Sequence, residues 1–181
     1  VLKSVLLLAA FIPVDGLLRD RRVSALARAG ALAFWAAAML PQADLRVDLL
    51  SAAFFALILR RLESARASFL FGFGLFALWS NLHAGLPLGF FLYAVYALAP
   101  HFGGGRRPEG LAAEAVGAAL GSLLNPYGFH LYSVLFTHAA DPAMARFVME
   151  WGPLNWHRAF QVPLLAAMAV TISAAFGARE R

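Results

Sequence analysis

The chain has 181 residues, 61% of them hydrophobic and only 14% charged, with a formal net charge of +5 and a mean hydropathy of +0.70. Ordinary soluble domains are about 45–50% apolar and about 25% charged, so the composition argues against a soluble globular enzyme and excludes intrinsic disorder, which needs low hydrophobicity and high net charge. The expectation is an all-α polytopic transmembrane bundle. Cysteine is absent, which removes disulfides, thiolate metal sites, Fe–S clusters and cysteine nucleophiles together.

In chain order, the first expected span is Val1 to Leu18, interrupted by Pro13 and Asp15, and the second is Val23 to Leu40, with Arg28 near its start. Leu45 to Leu59 is a shorter third, with Arg46 and Asp48 at its mouth. The low-charge stretch Ser68 to Ala99 exceeds the roughly 20 residues that cross a hydrocarbon core of about 30 Å. Its polar break, Ser80-Asn81-Leu82-His83-Ala84-Gly85, predicts two helices folded back on each other. Leu111 to Leu124 and Val162 to Phe176 complete about seven spans. Between the last two lies a long outer loop, residues 125–161, expected to be structured. It carries an interfacial helix across Phe129 to Phe136 and a second short helix that opens at Asp141-Pro142, with Asp as the cap.

Of the 15 cations 14 are arginine, and they sit in small clusters between apolar runs rather than along a stripe, which speaks against a nucleic-acid partner. On the zigzag of spans, Arg19, Arg21, Arg22, Arg28, Arg60, Arg61, Arg66, Arg106, Arg107, Arg179 and Arg181 fall at one set of ends. Only Arg46, Arg146, Arg158 and Lys3 fall elsewhere. Retained cations in short loops mark the cytoplasmic side, so the Arg-rich loops are expected to face the cytoplasm and the 125–161 loop the opposite side of a membrane. The lipid bilayer is the expected partner, and no soluble protein partner follows. The chain opens on Val1 in apolar sequence, read as a single transmembrane domain over 1–181 that forms part of a longer protein.

The same sorting gathers the scarce polar residues on the opposite side. Asn81 and His83 at the hairpin break have two readings: they satisfy backbone groups freed there, or they bind a phosphate or a sugar hydroxyl. Asn125-Pro126-Tyr127-Gly128 is a turn by its chemistry and a candidate rim of the same site. Glu150 stands beside Trp151, and a ring covering that carboxyl would raise its pKa. Arg46 either pairs locally with Asp44 and Asp48 or receives a lipid phosphate. His138 and Asp141 are three apart, but no third ligand joins them, so no cofactor is identified and a divalent metal is unsupported. On the Arg-rich side, Asp20, Glu63 and Glu109 read as solvated loop charges, and Asp15 and Glu114 as acids that snorkel to the surface. A serine-protease signature, facing histidines for haem and a Walker-type phosphate loop are all missing.

The order of these motifs resembles a known family. Leu78-Trp79-Ser80-Asn81-Leu82-His83-Ala84-Gly85, then Leu124-Asn125-Pro126-Tyr127-Gly128, then Phe147-Val148-Met149-Glu150-Trp151 resemble the later spans of bacterial GT-C-superfamily glycosyltransferase-like membrane proteins, relatives of the polyprenyl-phosphate-sugar-dependent mannosyl and arabinosyl transferases. The resemblance covers about Asp44 to His157. It implies a bacterial inner-membrane location with the 125–161 loop periplasmic, and transfer of sugar from a lipid-linked donor on that side, with Asn81, His83, Asn125, Tyr127, Glu150, Trp151 and Arg46 as substrate-binding candidates. In that family an acidic residue of an early loop acts as general base, and this chain departs from the pattern in having no adjacent acidic pair. The alternatives are a non-catalytic scaffold and a transporter or binding protein for a lipid-linked glycan.

Overall fold

The computed structural model describes residues 2–39, 48–64, 66–103 and 107–141. The described chain is all-α: α1 (Leu2–Asp20), α2 (Ala25–Met39), α3 (Asp48–Glu63), α4 (Phe69–Leu82), α5 (Pro87–Leu98), a 3-10 turn (Ala99–Phe102), α6 (Leu111–Gly121) and α7 (His130–Ala140). The break expected inside Ser68 to Ala99 is where α4 ends, with His83 in extended backbone, and Pro87 opens α5 at a position where proline lacks only an orphan N–H.

The transmembrane reading is overturned: among the described residues no helix is long and apolar enough to cross a membrane. α2 to α7 have between 11 and 16 residues, or about 16–24 Å at 1.5 Å per residue, against a core of about 30 Å. α1, with 19 residues, holds Lys3, Asp15, Arg19 and Asp20 within its length. The multi-pass inner-membrane location and the cytoplasmic assignment of the Arg-rich ends fall with it. The expected seventh span, Val162 to Phe176, lies outside the described residues.

Successive helices from α1 to α6 run back and forth between two ends. α4 and α6 make the closest pair, and small residues allow it. A Cβ at Gly117 or Gly121 would collide with the carbonyl oxygens of Phe69 and Phe73, and one at Gly72 with that of Glu114, so the two backbones touch where side chains would hold them apart. On α4 the buried positions Gly72, Phe76 and Trp79 recur at helical spacing. Phe76 centres an aromatic cluster, with ring centroids 4.7 Å from Phe90, 5.5 Å from Trp79 and 5.9 Å from Tyr93. Ile58 and Leu62 of α3 and Leu86, Leu92 and Leu111 close the core around it. Trp79 is fully buried there, because it shares the inward stripe of Phe76.

Candidate functional site

Polar groups collect at the two ends of this stack. At the end where α4 finishes, the Trp79 Nε1–H donates to Ser51 Oγ at 2.9 Å, and the Ser51 hydroxyl donates to His83 Nδ1 at 2.6 Å. The Gly85 backbone N–H also donates to His83 Nδ1, at 3.2 Å. Two donors on one ring nitrogen make it an acceptor, so the hydrogen-bond pattern fixes the Nε2–H tautomer of His83. Gly85 is required by the same arrangement, since a Cβ there would strike Ser51 Oγ. Ser51 is buried on α3, and His83, which makes a further contact besides these, is half-buried.

Asn81 joins this end to the next motif. Its Nδ2 donates to the Ala77 carbonyl at 2.7 Å and to the Leu124 carbonyl at 2.6 Å, tying the end of α4 to the exit of α6. Asn125 is spent on its own turn: Nδ2 donates to the carbonyls of Ser122 and Gly128, and Oδ1 accepts the Tyr127 N–H at 2.8 Å. Tyr127 is exposed at the tip, and Ser122 bonds Tyr132, seating α7 against α6. The break and the turn are therefore brought together, while both asparagine amides serve the backbone. Arg46, Glu150 and Trp151 lie outside the described residues, as do Asp44, most of the 125–161 loop and the helix expected from Asp141-Pro142. The helix expected over Phe129 to Phe136 is α7.

The opposite end is built from charges. Glu114, in the first turn of α6, is fully buried. Its Oε2 accepts from Arg61 Nε at 3.1 Å and from the Ser68 backbone N–H at 2.5 Å, and its Oε1 accepts from the Tyr93 hydroxyl at 3.2 Å. The Arg61 guanidinium also lies over the Phe71 ring, 4.3 Å from its centroid. Burial, and after it the Glu114 charge, push the Tyr93 phenol far above its ordinary pKa. Asp15 pairs with Arg19 at 2.8 Å and with Arg28 at 2.9 Å, linking α1 to α2. Arg60 meets Asp20 at 3.1 Å, and Glu63 is shared by Arg21 and Tyr96. Burial raises the Tyr96 pKa as well, against the lowering effect of Arg21. Asp15, Glu63 and Glu114 are thus ion-pair partners rather than snorkelling or solvated acids, Asp20 is paired while still exposed, and the arginine clustering is answered by carboxylates between helix ends.

His138 Nδ1 bonds the Val134 carbonyl at 2.9 Å within its own helix. Among the described residues no group of three His, Asp or Glu could hold a metal ion. No protein-family model, curated protein or solved structure matches the chain.

The partner of His83 is the residue that sequence reasoning missed. Ser51 is 32 positions away on another helix, and no local spacing connects the two. Glu114 did carry a signal. It sits three residues after Leu111 and three before Gly117, on the same helical face as the small residues that touch α4.

Proposed function

We propose that the chain is glycosyltransferase-like and that its His83 end holds the head group of a lipid-linked sugar. One observation carries the reading: Asn81 clamps the exit of α6 to the end of α4, so two separate motifs of the family resemblance meet at one place. There His83, fixed as the Nε2–H tautomer, exchanges its resting contact for a phosphate or sugar oxygen, and the Tyr127 phenol at the turn offers a second donor. A specific observation favours the non-catalytic alternative, a binding protein for such a glycan. Asp15, Asp20, Glu63 and Glu114 are all committed at the far end, so none of these four can act as general base beside His83.

The test is titration of the full chain with farnesyl-phosphoryl-mannose and farnesyl-phosphoryl-arabinose. Binding that weakens about tenfold in His83→Ala and in Tyr127→Phe supports the site, whereas affinities unchanged in both variants refute it. Release of farnesyl phosphate when a mannoside acceptor is added separates transfer from holding.

A further inference from the structure

A cleft of about 490 Å³ opens between α1, α2 and α3 on the charged side of the stack. That volume is within the range of small-molecule sites, about 300–1,000 Å³. Phe11, Ile12 and Leu32 form an apolar wall, and Asp15, Arg19 and Arg60 stand toward the ends of α1 and α3. The wall is braced from behind by an edge-to-face contact of Phe11 with Trp35, ring centroids 4.6 Å apart.

The charge at the mouth is unbalanced. Arg19 and Arg28 share the single carboxylate Asp15, while Arg60 has Asp20. Three guanidinium groups against two carboxylates leave one net positive charge beside the apolar wall. Gly16 lets Arg60 reach it, because a side chain at that position would strike the guanidinium where it crosses α1. These pairs are open to exchange: the Arg19 side chain is 64% exposed and that of Arg60 42%.

An apolar wall that ends in one net positive charge complements a ligand with an alkyl chain and one negative charge. A small polar anion gains nothing from Phe11, Ile12 and Leu32, and a neutral alkane gains nothing from the arginines. We propose that this cleft binds a single-chain carboxylate of the fatty-acid class, its chain along the apolar wall and its head between Arg19 and Arg60. The site is separate from the His83 end.

The experiment is calorimetric titration of the full chain, in detergent-free buffer, with dodecanoate, decanoate and dodecyltrimethylammonium, each below its micelle concentration. One dodecanoate binds per chain. Decanoate, two methylenes shorter, binds roughly fifteenfold more weakly, as expected from about fourfold per buried methylene. The cationic amphiphile also binds at least tenfold more weakly. Ile12→Glu puts a carboxylate on the wall at a position already 62% exposed, and Arg60→Gln removes the mouth charge while keeping the stem over Gly16. Each weakens dodecanoate about tenfold, with circular dichroism confirming the fold. Equal affinity for the cationic amphiphile, or wild-type affinity in either variant, overturns the proposal.

Discussion

The two ends of the helical stack, about 21 Å apart along the 14 residues of α4, handle polar groups in opposite ways. At the charged end, carboxylates on one helix meet arginines on another, and the central pair, Arg61 with Glu114, is drawn into the interior. At the other end a histidine, a serine, a tryptophan and two asparagines hydrogen-bond to each other and to the backbone. The difference is one of commitment. A buried ion pair is costly to break once formed, so it locks helix ends together, whereas uncharged donors at a partly exposed break exchange partners at small cost. The buried Arg61–Glu114 pair is built for architecture, whereas the polar end, like the exposed pairs of Arg19 and Arg60, can exchange partners for a ligand.

The strongest way to break this comparison is at Glu114. Glu114→Ala strips Arg61, the Ser68 N–H and the Tyr93 hydroxyl of one shared acceptor in a fully buried place. The expected loss is roughly 3–5 kcal/mol in urea denaturation, the usual cost of removing one partner of a buried pair. Glu114→Gln keeps an acceptor oxygen and loses less. A loss below about 1 kcal/mol in the alanine variant would show that the charged end is dispensable.

How much of this was legible in the sequence follows from which interactions are local. The break at Ser80 to Gly85, the turn at Asn125 to Gly128 and the helix from His130 are written in contiguous residues, and each stands where the pattern puts it. The grouping of arginines at one end was equally legible, because it needs only an antiparallel zigzag. Its cause was not, since Arg60 with Asp20 and Arg61 with Glu114 are contacts between distant helices. Apolar content misled for a related reason. A hydrophobic residue reads the same in a short helix as in a membrane span, and large apolar side chains such as Leu70, Phe91, Phe129 and Phe136 stay on the surface of these short helices.

At the other end the corresponding break is Ser51→Ala. It leaves the Trp79 Nε1–H buried without its acceptor and takes away one of the two donors that fix His83. A loss of about 1–3 kcal/mol is expected, smaller than at Glu114 because no formal charge is stranded. Stability alone does not test the role in positioning. ¹⁵N chemical shifts of the His83 ring do: in the parent chain Nδ1 reports as the acceptor, and in the variant the two tautomers mix. Retention of the single tautomer would assign its control to contacts of His83 other than Ser51.

The smallest expected effect sharpens the comparison by using pH. Two of the four tyrosines, Tyr93 and Tyr96, belong to the charged end, where burial raises both pKa values above 10.0. Below pH 10 these phenols are protonated in the folded and the unfolded chain alike, so their contribution is complete. Above it the unfolded chain releases protons that the folded chain retains, which makes stability fall as pH rises. The slope approaches about 1.4 kcal/mol per pH unit for a tyrosine that stays protonated when folded. Tyr93 comes closer to that limit than the half-buried Tyr96. Urea denaturation between pH 9 and 11 should therefore show a downward slope that Tyr93→Phe reduces, and reduces more than Tyr96→Phe does. An unchanged slope in Tyr93→Phe would mean that the charged end does not hold that phenolic proton.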